Sequence, residues 1–160
     1  MCGMKDTGAG QARIEALAFM RAHQSGVLAT AEKDAQPHAS AVYYTTDDDF
    51  NVYFLTLVSS RKYAAIQSNP RVAFSVGTQD VPQTMQLEGV ADELRYEDEN
   101  NQQLAQVANV LMSASTYYAP LTTLDRAGVR LMRITPNWIR WADYASGKTG
   151  TENVWTEIKP

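Results

Sequence analysis

Gln83-Thr84-Met85-Gln86-Leu87-Glu88-Gly89-Val90-Ala91-Asp92-Glu93-Leu94 is the stretch on which the fold turns. Met85, Leu87, Gly89 and Ala91 fall on one side of a period-two pattern, and Thr84, Gln86 and Glu88 on the other. Side chains of a strand alternate between its faces, so this is a long strand with one buried side. Upstream, residues 71–76 (RVAFSV) read as another strand. Asn69-Pro70 before it ends a short helix over 60–68, because the residue preceding proline avoids the helical region. Further back lie apolar runs at 51–57, 37–45 and 27–31, separated by the polar stretches 47–49 and 32–36. These three read as an antiparallel meander. Residues 11–24 read as a helix burying Ile14, Leu17 and Ala18, widened by Phe19 and Met20 and stopped by Ser25-Gly26.

Downstream, Glu97-Asp98-Glu99 places negative charge where a helix N-terminus favours it. Leu104, Val107, Ala108 and Leu111 continue that helix to about residue 113. A connecting segment over 115–128 follows, then strands at 129–134 and 138–142 interrupted by Pro136. Residues 146–151 are polar and Gly-rich, and 154–158 reads as an edge strand. About six antiparallel strands with a few helices suit a small closed β-barrel, because closure removes sheet edges. A β-sandwich is the competing architecture.

With 160 residues, the chain is expected to form one domain over 11–160 behind a flexible tail over 1–10. Its composition, 44% hydrophobic and 20% charged, excludes a disordered or collagen-like protein. A single cysteine, Cys2, excludes a disulfide scaffold. A net charge of −4 argues against general nucleic-acid binding, which needs a basic face. No apolar run approaches the ~20 residues of a membrane span, and the N-terminus lacks an apolar signal core. A cytoplasmic protein is therefore expected.

Chemistry concentrates at Thr56-Leu57-Val58-Ser59-Ser60-Arg61-Lys62. A strand ends there and a helix begins, so Arg61 and Lys62 fall in the first helical turn. That end carries about half a positive charge, which disfavours cations unless an anion binds. Backbone N–H groups, hydroxyls and two cations would then converge on one phosphate. The alternative is a serine cap followed by two solvated side chains.

Taken together, several segments resemble the FMN-binding split-barrel superfamily, the pyridoxamine 5′-phosphate oxidase-like proteins. They are Val27-Leu28-Ala29-Thr30, Gln36-Pro37-His38, Tyr53-Phe54-Leu55-Thr56, Ser60-Arg61-Lys62, Asn69-Pro70-Arg71-Val72 and Gln86-Leu87-Glu88-Gly89-Val90-Ala91. They cover about residues 12–95 in the family's order and spacing. The resemblance implies a six-stranded antiparallel Greek-key split β-barrel, mainly β with a few flanking helices. It also implies a homodimer with two FMN molecules at its interface. On that basis Arg61 and Lys62, with Ser60 beside them, match the ligands of the FMN phosphate. Ser40, Ala41, Val42 and Tyr43 match the strand along the flavin ring. Leu55 and Thr56 match the strand end beside the ribityl-phosphate. Thr84 aligns with a flavin-contacting glutamine of the oxidases, and Gln86 lies two residues on along the same face. Trp141 resembles a tryptophan that reaches flavin from the partner chain.

The chain also departs from the oxidases. They carry an arginine at the position of Ser40 and a substrate-phosphate lysine at that of Thr45. Their C-terminal Arg-Leu-His-Asp motif is replaced after Trp141 by Ala142-Asp143-Tyr144-Ala145-Ser146. The expectation is therefore an FMN-dependent oxidoreductase acting on a small substrate other than pyridoxamine phosphate. Its alternatives are a non-catalytic, stress-related flavin-binding protein, or a haem- or deazaflavin-binding relative. His23 and His38 are too few and too scattered for a zinc site, and Asp47–Asp49 lacks the glycine and distal glutamate of a calcium loop. No nucleophile elbow is present. Tyr117-Tyr118 and Trp138 suit stacking on a ligand or burial. Arg126, Arg130, Arg133 and Arg140 suit a basic patch or pairing with acids.

Overall fold

A computed structural model describes residues 7–77, 80, 82–94, 105, 128–145 and 154–160. Helix α1 spans Thr7–Ala22. The strands are β1 (Ser25–Ala31), β2 (Pro37–Tyr43), β3 (Thr45–Thr46) and β4 (Val52–Leu57), then β5 (Arg71–Gly77), β6 (Gln83–Leu94), β7 (Val129–Asp143) and β8 (Trp155–Ile158). Helix α2 (Arg61–Ser68) lies between β4 and β5. The order across the sheet is β2-β1-β5-β6-β7-β4-β3, and β8 pairs with β7. All pairings are antiparallel. The two ends of this path, β2 and β3, are consecutive in the chain with only Tyr44 between them. The sheet thus returns on itself as a split β-barrel, with β3 prolonging β2 and β8 added at one edge.

Strand β6 occupies the residues its alternation predicted, and Met85, Leu87, Gly89 and Ala91 are buried. The expected meander forms only in part. β1 and β2 make a hairpin, and β3, which prolongs β2, pairs with β4 at Thr45↔Tyr53 and Thr46↔Val52. But β4 pairs along its whole length with β7, in the register Val52↔Ile134 to Leu57↔Val129. Pro136 does not split β7, which runs unbroken through it. The register shifts between Glu88 and Gly89, placing Gly89 opposite Pro136. A Cβ on Gly89 would meet the Thr135 carbonyl oxygen at 2.3 Å, so only glycine fits this bulge. The fifteen residues of β7 pair with β6 along most of their length, with β4 at one end and with β8 at the other.

The core is filled by Leu28, Phe50, Val52, Phe54, Phe74, Met85, Leu87, Met132, Ile134 and Ile139. Helix α1 begins at Thr7 and covers one side of the barrel. Its buried stripe is Ala12, Ala16, Phe19 and Met20, flanked by Leu17, whereas Ile14 is 64% exposed and Ala18 also faces out. This corrects the expected helix face. The stripe keeps the spacing i, i+4, i+7, i+8 but starts two residues earlier, where small alanines admit close approach. Tyr44, at the β2–β3 bend, is buried and donates its hydroxyl to the Met20 carbonyl at 2.8 Å. Asp47 organises the β3–β4 turn, accepting from the N–H groups of Asp49 and Asn51 at 3.0 and 2.9 Å and from the Tyr53 hydroxyl at 2.9 Å.

Among the described residues, no helix is long and apolar enough to cross a membrane. The expected helix to residue 113, the 115–128 segment with Tyr117, Tyr118 and Arg126, and the polar 146–151 stretch lie outside the described residues, apart from helical Ala105 and Gly128. So does Cys2.

Candidate functional site

The β4–α2 junction is built by local hydrogen bonds. The Ser60 N–H donates to the Leu57 carbonyl at 3.0 Å, and the Val58 N–H to the Gly128 carbonyl at 2.9 Å. Ser60 takes the extended conformation of an N-cap, and its Oγ accepts from the Tyr63 N–H at 3.2 Å. Its carbonyl accepts from the Ala64 N–H at 3.2 Å. A helix leaves its first four N–H groups without intrahelical acceptors. Here those of Ser60 and Tyr63 are engaged, so those of Arg61 and Lys62 are the pair left at the helix end. Thr56 is 2% exposed, and its Oγ1 lies 2.8 Å from Ser60 Oγ. If Thr56 donates in that contact, the Ser60 hydroxyl proton is free for a third group.

The electrostatics point the same way. The first turn of α2 has no acidic residue and two cations. Arg61 Nε lies 3.4 Å from Glu32 Oε1 at the end of β1, with both side chains half in water. Such a pair is weak, so Arg61 can turn to another anion at little cost. Lys62 forms no ion pair among the described residues. Two adjacent N–H groups, two cations and a hydroxyl form a donor set suited to a phosphate monoester.

Behind the junction, the Tyr63 hydroxyl donates to Glu93 Oε2 at 2.8 Å. Glu93 Oε1 takes Arg130 Nε at 3.0 Å. The bond to the Glu93 carboxylate holds the Tyr63 phenol above its ordinary range, with burial adding to the rise and Arg130 opposing it. The sequence offered Arg130 for pairing with an acid, which Glu93 supplies, but not the link to Tyr63, because Tyr63, Glu93 and Arg130 meet only through non-local pairing.

The other expected residues are distributed around the barrel. Ser40 and Val42 face inward, Ser40 opposite the core residue Leu28. Ser40 Oγ is buried without a protein partner. Ala41 and Tyr43 face outward. Leu55 packs beside Tyr53, Leu94 and Leu131 in a small cluster of its own. Thr84 is half-buried, opposite Ala142. Gln86 is on the outer face, where its Oε1 accepts from Arg140 Nη2 at 2.7 Å. Trp141 occupies a core position: it is 3% exposed and packs on Phe19, ring centroids 5.0 Å apart. That placement differs from the expected reach toward a partner chain. Arg140, one residue away, faces outward with Trp138 and lies 3.8 Å above the Trp155 ring. The sequence offered Arg140 for a basic patch or pairing with acids and Trp138 for stacking or burial. The structure sets the Arg140 guanidinium against Gln86 and the two indoles instead, and Trp155 was not singled out.

One chain brings Thr56, Ser60, Arg61 and Lys62 together but leaves Gln86 apart from Ser40–Tyr43. β1 and β5 lie between their strands, roughly 14 Å along the sheet at about 4.8 Å per neighbouring pair. His23 is committed elsewhere: its Nδ1 lies 2.7 Å from the Phe19 carbonyl and its ring stacks on Phe19. No cluster of metal-ligating side chains occurs among the described residues.

The family profile described as pyridoxamine 5′-phosphate oxidase matches residues 12–141. The chain belongs to the pyridoxamine 5′-phosphate oxidase family. The match takes in both strands and helix of the junction and the whole of β6. No curated protein matches the chain. Among solved structures, a conserved hypothetical protein from Mycobacterium tuberculosis is similar at 27% identity and TM-score 0.62, over 81% of this chain and 83% of that one. A FAD-binding protein from Mesorhizobium loti shares the fold at 23% identity and TM-score 0.63, over 79% and 90%. A haem-binding protein from Mycobacterium smegmatis does so at 18% identity and TM-score 0.66, over 98% of this chain and 60% of that one. Proteins described as FAD-binding and as haem-binding thus share this fold.

Proposed function

We propose that this chain binds FMN and acts as an FMN-dependent oxidoreductase on a small substrate. The observation that carries the reading is the α2 first turn. Arg61 and Lys62 each offer an uncommitted N–H and a cationic side chain, with no acid in that turn. In this reading Arg61 and Lys62 hold the phosphate, the Ser60 hydroxyl adds a donor, and Thr56 holds Ser60 in place. Leu55 and Thr56 flank the ribityl chain, and the β2 backbone from Ser40 to Tyr43 lies along the ring. Gln86 offers a polar edge from the outer face. Flavin, when bound, supplies hydride or electron transfer.

Pyridoxamine phosphate is not the proposed substrate, because Ser40 and Thr45 stand where the oxidases carry cations. The same departures favour, as a second reading, a flavin-binding protein without a dedicated substrate. A homodimer is part of the proposal. The outer faces of β1, β2 and β5 carry small apolar side chains at Ala29, Ala41 and Ala73, with Val27 47% exposed. A second copy on that face would bring its own Gln86 strand to the first copy's flavin.

The test is a visible spectrum of the purified protein with and without added FMN, together with mass identification of what the denatured protein releases. FMN is expected. Haem or a deazaflavin in its place, or no uptake, would overturn the assignment. Reduction of the bound flavin by NADH or NADPH with turnover separates the oxidoreductase from the non-catalytic reading.

A further inference from the structure

We propose that Tyr63, Glu93 and Arg130 form a clamp that positions the first turn of α2 for a phosphate, making Tyr63 a positioning residue for phosphate selectivity. This rests on the FMN reading. Helix α2 has eight residues, below the roughly 12–15 at which an isolated helix begins to hold itself. Its direction must therefore come from what it touches. Ala65 and Ile66 bury one side of it against the barrel. Their apolar contacts have no direction and leave the tilt of the first turn open. Directional contacts supply it at two points. Ser60 is tied to Thr56 on β4 at 2.8 Å, and the Tyr63 hydroxyl to Glu93 on β6 at 2.8 Å.

Tyr63 joins both. Its N–H is capped by Ser60 Oγ, and its side chain reaches the neighbouring sheet strand. A shift of the Tyr63 ring therefore moves the cap, and with it the N–H groups of Arg61 and Lys62. Glu93 is itself held, since its second oxygen takes Arg130 Nε from β7 at 3.0 Å. β6 and β7 are paired along this stretch, Glu93 facing Met132. The clamp thus refers the helix end to two strands of the barrel wall. The Tyr63 hydroxyl is committed to a carboxylate, so Tyr63 acts through Ser60 and the helix and is not itself a phosphate ligand.

The test compares FMN with riboflavin, which lacks the phosphate, on wild-type protein, Tyr63→Phe and Glu93→Gln. It is paired with amide hydrogen exchange of the flavin-free proteins. Tyr63→Phe is expected to weaken FMN binding about tenfold, the size of one hydrogen bond to a charged group, and riboflavin binding by much less. Exchange at the amides of residues 63 and 64, which Ser60 protects, should speed up in the variant, while that of Asn69 at the far end stays as in wild type. Glu93→Gln keeps an acceptor for Tyr63 and loses the Arg130 pairing, so its loss should be smaller. Equal losses for FMN and riboflavin, or unchanged exchange at residues 63 and 64, would overturn the clamp. Should wild-type protein fail to prefer FMN over riboflavin, the FMN reading falls, and exchange alone then decides whether the clamp positions the helix.

Discussion

Arg140 and Trp141 are adjacent in β7 and serve opposite faces of the sheet. Arg140 donates to Gln86 at 2.7 Å and stacks 3.8 Å above Trp155 on the outside, while Trp141 packs on Phe19 inside. Their substitutions should therefore separate. Trp141→Ala removes a buried indole from the contact between α1 and the barrel. It is expected to cost about 3–5 kcal/mol of unfolding free energy, read by denaturant titration. Arg140→Ala should cost only about 1 kcal/mol, because its partners remain within reach of water. A Trp141→Ala protein of near-wild-type stability would contradict the core placement.

Replacing Arg61 and Lys62 together by Ala should abolish the phosphate site and spare the fold. Both side chains lie at the surface end of α2, and neither carries a buried contact. Two charge-assisted contacts are lost, so FMN affinity should fall at least about a hundredfold in a fluorescence titration. The far-UV circular dichroism spectrum should not change. Binding retained at wild-type strength would remove these residues from the site.

Alkaline stability follows from the buried phenols. Burial raises the Tyr44 pKa well above its ordinary value, and Tyr53 is raised by burial first and then by its hydrogen bond to Asp47. Above pH ~10 the unfolded chain loses these protons while the folded chain keeps them. The unfolded state then binds fewer protons, so stability falls as pH rises. It should be level from neutrality to about pH 10 and then decline, by up to about 1.4 kcal/mol per pH unit for each phenol. Tyr44→Phe should start less stable, lacking the bond to the Met20 carbonyl, and should show a shallower decline. Denaturant midpoints between pH 8 and 11 measure both, and an equal slope in the two proteins would count against burial of the Tyr44 phenol as the cause.

What could be read from the sequence was what its signals specify locally. The Ser60 cap and the Asn69-Pro70 stop bracket α2, and strict alternation bounds β6; the structure has both where they were expected. The misreadings arise where the deciding partner is distant. Pro136 reads as a break until Gly89 is opposite it, which only the β6–β7 register reveals. The phase of α1 was missed because Ala12 and Ala16 give little hydrophobic signal, although their small size is what lets the helix sit close. Trp141 and Arg140 illustrate the sharpest limit. Neighbours on a strand take opposite faces, so the face of Trp141 depends on the phase of β7, which an uninterrupted fifteen-residue strand through Pro136 sets and the sequence alone does not. Ser60, Arg61 and Lys62 were legible because a strand end, a cap and two cations fall within seven residues, whereas the Tyr63–Glu93 contact spans thirty.

The outer face of β1 gives a direct test of the proposed dimer. Val27 pairs with Ala41 on one side and Ser75 on the other, and its side chain is 47% exposed. Arginine there meets open space in a single chain, so the intrinsic stability of the fold should change by no more than about 0.5 kcal/mol. In a two-fold interface the same residue recurs on both copies, so one substitution adds two charges to a patch that excludes water. Val27→Arg should therefore shift the protein to monomer in light scattering and lose FMN with it. A Val27→Arg protein that stays dimeric and keeps FMN would put the interface on another face. One that becomes monomeric yet binds FMN at wild-type strength would show that a single chain completes the site.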